Sequence, residues 1–216
     1  MEVGISQQRQ DISNYFLPAH YRINDNPDPC IRSKKKKPDA QWNAYNLAQK
    51  LKGERILDVG CGDGTIFMNF FSGKATLGLD IEYNIDICKK LHPDNSWSVI
   101  DLDSPFLLPD TYDLIICADV IEHLKNPEYL LAELARLNRA VKATIVISTP
   151  ERDLKRGTSH LGPPPNSMHV REWNRSELLK LLVYFGLDPQ FELLPTSRNS
   201  KKTTTLAAIC RPSPAP

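Results

Sequence analysis

The sequence lacks most of what would mark a secreted, membrane-spanning or polyanion-binding protein. Its five cysteines (Cys30, Cys61, Cys88, Cys117 and Cys210) are odd in number and scattered, without a C-x-x-C pair or zinc-knuckle spacing. That usage reads as reduced thiols in a cytoplasmic protein. No stretch approaches the roughly 18 consecutive apolar residues of a membrane span, and the opening "MEVGISQQRQDIS" has no apolar signal core. Charge of one sign is also missing. With 27 Lys and Arg against 26 Asp and Glu, the net charge of +1 creates no overall field to hold a nucleic acid. The expectation is a soluble cytoplasmic chain with a small-molecule partner, and neither nucleic acid nor membrane is expected. At 216 residues it suits one domain whose core needs no disulfide or metal clip.

Residues 1–37 are polar and carry "NDNPDP" and the run Lys34–Lys37, which reads as an irregular arm. Its Tyr15, Phe16, His20, Tyr21 and Arg22 are candidates for one wall of a site, Tyr21 among the substrate contacts. From Pro38, "PDAQWNAYNLAQKL" places Trp42, Tyr45 and Leu47 near helical spacing. Strand-like runs follow at 55–60, 75–80, 96–101, 112–119 and 143–149, alternating with helical segments at about 64–71, 84–91 and 127–140. Such alternation specifies an α/β fold, a mostly parallel sheet with helices on both faces. The loop over 150–173 is long enough to be a lid, with Gly157 and Gly162 as candidate hinges. A helix closed by Gly186 and two strands complete a domain over 38–211, and 212–216 reads as a disordered tail.

The segment "RILDVGCGDGT" runs from a strand through Gly60, Gly62 and Gly64 into a helix. Its G-x-G-x-G spacing is not that of a dinucleotide loop, and Asp58 before it would repel a pyrophosphate. A carboxylate there suits a ligand bearing an ammonium and a sulfonium, namely S-adenosylmethionine. Asp80 ends the next strand, where it can take both ribose hydroxyls, and Asp101 ends the third, where it can accept from an adenine amine. Each Asp alone could instead cap a helix, but three in a row at successive strand ends point to one extended ligand.

In these segments, with "LGLD", "VIDLD" and "YDLIICADVIEHL" in order, the chain resembles the class I S-adenosylmethionine-dependent methyltransferases. The resemblance implies a Rossmann-like seven-stranded sheet with a reversed final strand. It also implies that Asp58 and the turn Gly60-Cys61-Gly62 to Gly64 face the methionine end, Asp80 and Ile81 the ribose, and Asp101 with Leu102 the adenine.

The segment after the fourth strand, "CADVIEH", lacks the Asn/Asp-Pro-Pro-aromatic motif of DNA amino-methyltransferases. Asp119, Glu122 and His123 stand at i, i+3 and i+4, one face of a helix if a helix forms there. The three then serve as cap, solvated acid and packed ring, or supply a general base, or join His169 as metal ligands. The small-RNA 3′-terminal 2′-O-methyltransferases are similar at Glu122, His123 and His169 and bind a divalent metal. This chain departs from them at Asp119, where they carry Glu, and has "PPPNSM" where they carry further histidines. Small bacterial methyltransferases of glycans, lipids and secondary metabolites are equally similar and share a His-Val-Arg-Glu-aromatic stretch without metal. If the loop folds over the crevice, His169 is the lid base or orienting group, with His123 and Asp119 beside it. Arg171 would hold an anionic or hydroxyl group, and Trp173 would stack on a ring or anchor the next helix. The expected reaction is methyl transfer to a hydroxyl of a sugar or biosynthetic intermediate. The alternatives are a small amine acceptor, metal-dependent RNA methylation, and a non-catalytic cofactor-binding subunit.

Overall fold

The computed structural model describes residues 16–29, 39–196 and 200–212. Tyr15, Cys30, Lys34–Lys37, Pro38 and tail residues 213–216 lie outside them, so the expectations placed there have no structural counterpart. Helix α1 (Asp39–Gln49) precedes β1 (Arg55–Val59), α2 (Thr65–Phe71), β2 (Ala75–Asp80), α3 (Glu82–Leu91) and β3 (Ser96–Val99). The second half holds β4 (Leu114–Ala118), a 3₁₀ turn (Ile121–His123), α4 (Pro127–Ala140), β5 (Thr144–Pro150) and α5 (Arg152–Arg156). It closes with α6 (Arg175–Tyr184), β6 (Pro189–Pro195) and β7 (Thr203–Cys210). The strands form one seven-stranded sheet in the order β3-β2-β1-β4-β5-β7-β6. β1 to β5 run parallel, and β7 is antiparallel to both β5 and β6.

Alternation along the central strands builds a core on each face of the sheet. Leu57, Val59, Ile115, Cys117, Ile145 and Ile147 join Leu130 and Leu134 of α4 and Leu178 and Leu181 of α6. The intervening Ile56, Leu114, Ile116 and Val146 join Tyr45 of α1 and Phe67 and Phe71 of α2 on the other face. Because β4 is buried on both sides, all of its residues are apolar. Gly186, at φ 83, ends the last helix as the sequence indicates. No helix among the described residues is long and apolar enough to cross a membrane.

The structure departs from the sequence reading in several places. β3 ends at Val99, two residues before Asp101. The segment Asp119–His123 is not an α-helix. Asp119 sits at φ 54, in the left-handed region, and Leu124 is already extended, so only one 3₁₀ turn fits between them before Pro127 opens α4. The loop over 150–173 is not structureless: it begins with α5, whose N-cap Glu151 accepts from Leu154 N at 2.7 Å, and it returns to the sheet through a bridge between Glu151 and Trp173. Gly162, at φ 64, passes so close to the arm that a Cβ there would lie 2.0 Å from the Arg22 carbonyl. That contact, with Arg22 N to Leu161 O at 2.9 Å and Asn24 N to Val170 O at 2.8 Å, makes arm and loop one packed layer.

Candidate active site

The parallel strands β1 to β5 all present their C-terminal ends on one edge. The chain moves outward to β2 and β3 on one side of β1 and to β4 and β5 on the other, which opens a crevice between the ends of β1 and β4. Gly60 turns the chain out of β1 at φ 79, and a Cβ there would lie 2.3 Å from Val120 Cγ2, so only glycine lets the turn touch the segment after β4. Gly60 N and Cys61 N donate to Leu79 O at 2.8 and 3.0 Å, and Gly62 N donates to Asp80 Oδ2 at 2.7 Å. Asp80 Oδ1 accepts from Ile81 N at 2.7 Å and Asn84 Nδ2 at 2.8 Å, which ties the turn to the end of β2. Gly64, at φ 74, opens α2, and Cys61 is buried beside Cys88 and Trp97.

Asp58 lies within β1, fully buried, and its Oδ2 accepts from Tyr45 OH of α1 at 2.7 Å. Asp101 is exposed beyond β3 and forms a local turn, accepting from Asp103 N at 3.0 Å and Ser104 Oγ at 2.5 Å. Ile81 offers an exposed apolar side chain at the end of β2, whereas Leu102 points into the core. The chemistry of this set fits S-adenosylmethionine. The ammonium, ribose diol and adenine amine are all donors, and carboxylates stand at or beside the ends of β1, β2 and β3 with no cation in the glycine turn.

A second cluster lies at the ends of β4 and β5. Asp119 Oδ1 accepts from Ser148 Oγ at 2.9 Å, and Glu122 Oε2 accepts from Thr149 Oγ1 at 2.9 Å. Glu122 is fully buried, and its Oε1 has no hydrogen-bond partner among the described residues. Burial, and then the neighbouring Asp119, push the Glu122 carboxyl well above its ordinary range. Asp119 is also raised by burial, against the pull of Ser148. The rings of His123 and His169 meet edge to face with centroids 4.7 Å apart. His123 Nδ1 lies 2.9 Å from the Met168 carbonyl, which can only accept, so that nitrogen carries the proton. His169 Nδ1 lies 2.8 Å from Glu172 Oε1, and burial lowers the imidazole below its ordinary value despite that carboxylate. Glu172 is fully buried. Burial alone would raise it, but His169 and Arg156 hold it down at about 2.

The structure thus brings His123, His169 and Glu122 together, with ligand atoms within 4.8 Å of one another, while Asp119 stands outside that group. It does not place Arg171 or Trp173 at an acceptor. Arg171 is 2% exposed and donates to the Lys125 carbonyl at 2.8 Å, and Trp173 is 1% exposed in the main core. Tyr21 packs its ring under Arg152, and its hydroxyl accepts from Glu172 N at 3.0 Å. Sequence reasoning missed Glu172, Arg156, Tyr45 and the hydroxyls of Ser148 and Thr149 as members of the site. Only "STP" at the end of β5 carried a local signal, since hydroxyls beside a strand end are potential acid partners.

The crevice, with its glycine turn and successive carboxylates, defines a nucleoside-binding α/β protein of the methyl-transfer type. The methyltransferase-domain family matches residues 33–190, and the chain belongs to it, a class I S-adenosylmethionine-dependent methyltransferase domain. The chain is 30% identical over 132 residues to the ubiquinone biosynthesis O-methyltransferase of Photobacterium profundum, covering 55% of this chain and 56% of that one. It is 32% identical over 96 residues to pavine N-methyltransferase of Thalictrum flavum subsp. glaucum, covering 41% of this chain and 27% of that one. The chain therefore spans about half the length, or less, of these curated relatives. An S-adenosylmethionine-dependent methyltransferase of Mesorhizobium loti shares the fold with a TM-score of 0.60 at 18% identity, covering 80% of this chain and 97% of that one.

Proposed function

We propose that this chain transfers a methyl group from S-adenosylmethionine to a hydroxyl of a small polar molecule, a sugar or a biosynthetic intermediate, with His169 as the proton acceptor. One observation carries the reading: His169 and His123 meet at the end of β4, beside the segment that the Gly60 turn touches. Bound S-adenosylmethionine supplies a methyl group already activated on a sulfonium. The work left to the chain is to position the acceptor in line and to remove its proton. Asp58 and the Gly60–Gly64 turn would hold the methionine end, Asp80 and Ile81 the ribose, and Asp101 the adenine end, with Leu102 contributing only its backbone because its side chain lies in the core. A buried, neutral His169 with its proton on Nδ1 keeps a lone pair on Nε2 for the acceptor hydroxyl. His123, held the same way, also keeps a lone pair on Nε2 and is a second candidate to take that proton, and Asp119 lies close enough to favour the charge that forms on either ring. An unprotonated amine needs no such base, which weighs for oxygen over nitrogen.

The test starts from the donor. S-adenosylhomocysteine at about 100 times its dissociation constant should stabilise the protein by about 2.7 kcal/mol; no stabilisation sinks the reading. Acceptors are then found by mass spectrometry, as gain of one methyl on sugars, phenols or amines supplied with S-adenosylmethionine. Replacing His169 by Ala should cut turnover on the order of 100-fold with S-adenosylhomocysteine affinity unchanged. Equal loss of both contradicts the role.

A second reading is favoured by the grouping of Glu122, His123 and His169 within 4.8 Å, two imidazoles with Nδ1 already bonded to oxygen and one buried carboxylate oxygen without a partner. That is a ligand set for a divalent ion, which would lower the acceptor hydroxyl's pKa in place of a base. Under this reading chelator abolishes turnover, a divalent ion restores it, and Glu122→Gln cannot be restored. Turnover unchanged in chelator removes it.

A further inference from the structure

We infer that Glu172 is the positioning residue of the site: it fixes His169 in the tautomer that carries its proton on Nδ1, so that Nε2 keeps the lone pair used on the acceptor. The inference rests on the reading of His169 above and assigns a role to a residue that nothing in its local sequence distinguishes from a solvated acid. The Glu172 side chain is 0% exposed, standing between Arg171 and Trp173 in "HVREWN". Its Oε1 accepts from His169 Nδ1 at 2.8 Å and from Arg156 Nη2 at 3.0 Å, and its Oε2 accepts from Arg156 Nε at 3.1 Å. The guanidinium fork satisfies both oxygens at once and keeps the carboxylate ionised. An ionised carboxylate has no proton to give, so the hydrogen shared with the ring belongs to Nδ1.

Three separate stretches of chain converge on this side chain and its backbone. Arg156 comes from the last turn of α5, His169 from the return of the loop, and the Tyr21 hydroxyl of the arm accepts from Glu172 N at 3.0 Å. A carboxylate needed only to pin the loop would be satisfied by Arg156. The bond to His169 is additional, and it lies between residues i and i+3 outside any helix, where chain geometry alone does not enforce it. Glutamine at this position offers an amide N–H₂ that can donate to Nδ1, which would transfer the ring proton to Nε2 and remove the lone pair from the acceptor side.

The experiment is long-range ¹H–¹⁵N spectroscopy of the full chain, labelled in its histidines and saturated with S-adenosylhomocysteine, with His169 identified by the signal lost in His169→Gln. His169 should be the Nδ1–H tautomer in the unmodified protein. It should lose the Nδ1–H form in Arg156→Met, where the buried carboxyl no longer has the cation that keeps it ionised, and change toward Nε2–H in Glu172→Gln. With an acceptor in hand, Glu172→Gln should lower kcat by on the order of tenfold or more while KM and S-adenosylhomocysteine affinity hold. Glu172→Asp, which keeps the charge, should recover part of the loss. An Nε2–H tautomer in the unmodified protein, or an unchanged tautomer in a folded Glu172→Gln, overturns the inference. If Glu172→Gln does not fold, the unmodified and Arg156→Met spectra decide. Failure of S-adenosylhomocysteine to stabilise the protein sinks the donor reading and leaves the tautomer result standing, so the two failures are distinct.

Discussion

Replacing Trp173 by Ala is expected to destabilise the protein by about 3–5 kcal/mol, the range for removing a fully buried aromatic side chain. For a chain of this size each kcal/mol moves the melting temperature by about 2–4 °C, so a fall of about 6–20 °C should be seen by calorimetry. Trp173 is 1% exposed and belongs to the same core as Leu178 and Leu181 of α6 and Ile145 and Ile147 of β5. Its backbone closes the loop: Arg152 N donates to Trp173 O at 2.9 Å, and Glu151 bridges to it. The indole Nε1 has no partner among the described residues, so Trp173→Phe keeps most of the packing and removes an unsatisfied donor. That variant should therefore lose much less, under about 1.5 kcal/mol. Because His169 and Glu172 hang from the same stretch, turnover should fall in Trp173→Ala even at temperatures where it is folded. A melting temperature within about 2 °C of the parent, less than one kcal/mol is worth here, would show that the ring is not the anchor of the loop.

Much of this architecture is written in short-range pattern. The strands are legible because each apolar run is bounded by polar turns, and the period-two split of Ile56 from Leu57, or Val146 from Ile147, assigns both faces of the sheet. The cofactor edge is legible because its residues all follow strands. The acceptor side is less so, because its geometry depends on contacts far apart in sequence. Spacing joins Glu122 to His123, but the left-handed Asp119 removes the helix that spacing assumes, and only the return of the loop 46 residues later brings in His169. Arg171, Glu172 and Trp173 show the same limit. As a local string Arg171 and Glu172 read as solvated or capping residues and Trp173 as a stacking ring or a helix anchor, yet all three are buried, with Tyr21 of the arm against Glu172. Arg171 and Trp173, chosen as substrate contacts for their side-chain chemistry, turn inward, and Glu172, which that chemistry did not single out, reaches the imidazole.

The acid limb of stability should carry the signature of Glu172. Its folded-state value of about 2 lies below the ordinary 4.5, so the unfolded chain binds the proton more tightly than the folded one. A depressed carboxylate contributes stability that is complete above the unfolded value and lost as pH falls through the folded one. At about 1.36 kcal/mol per unit, the interval corresponds to at most about 3.4 kcal/mol at neutral pH, of which about 1.4 kcal/mol is gone by about pH 3.5. His169 acts in the same direction from a higher pH. A base whose folded value is lowered opposes folding once the unfolded ring protonates, so stability begins to fall below the ordinary imidazole value of 6.5. Glu122 and Asp119 act in the opposite sense, because carboxyls raised in the folded state gain stability relative to neutral pH as they protonate. Net stability against pH therefore mixes the two signs, and the difference between the parent and Glu172→Gln reports Glu172 together with its pull on His169. Urea denaturation in parallel should show a gap of up to about 3.4 kcal/mol between about pH 6 and 8 that narrows steadily below about pH 4.5. A gap that is constant down to about pH 3.5 would mean that Glu172 is not held ionised by Arg156 and His169, and that the charged carboxylate does not sustain the site.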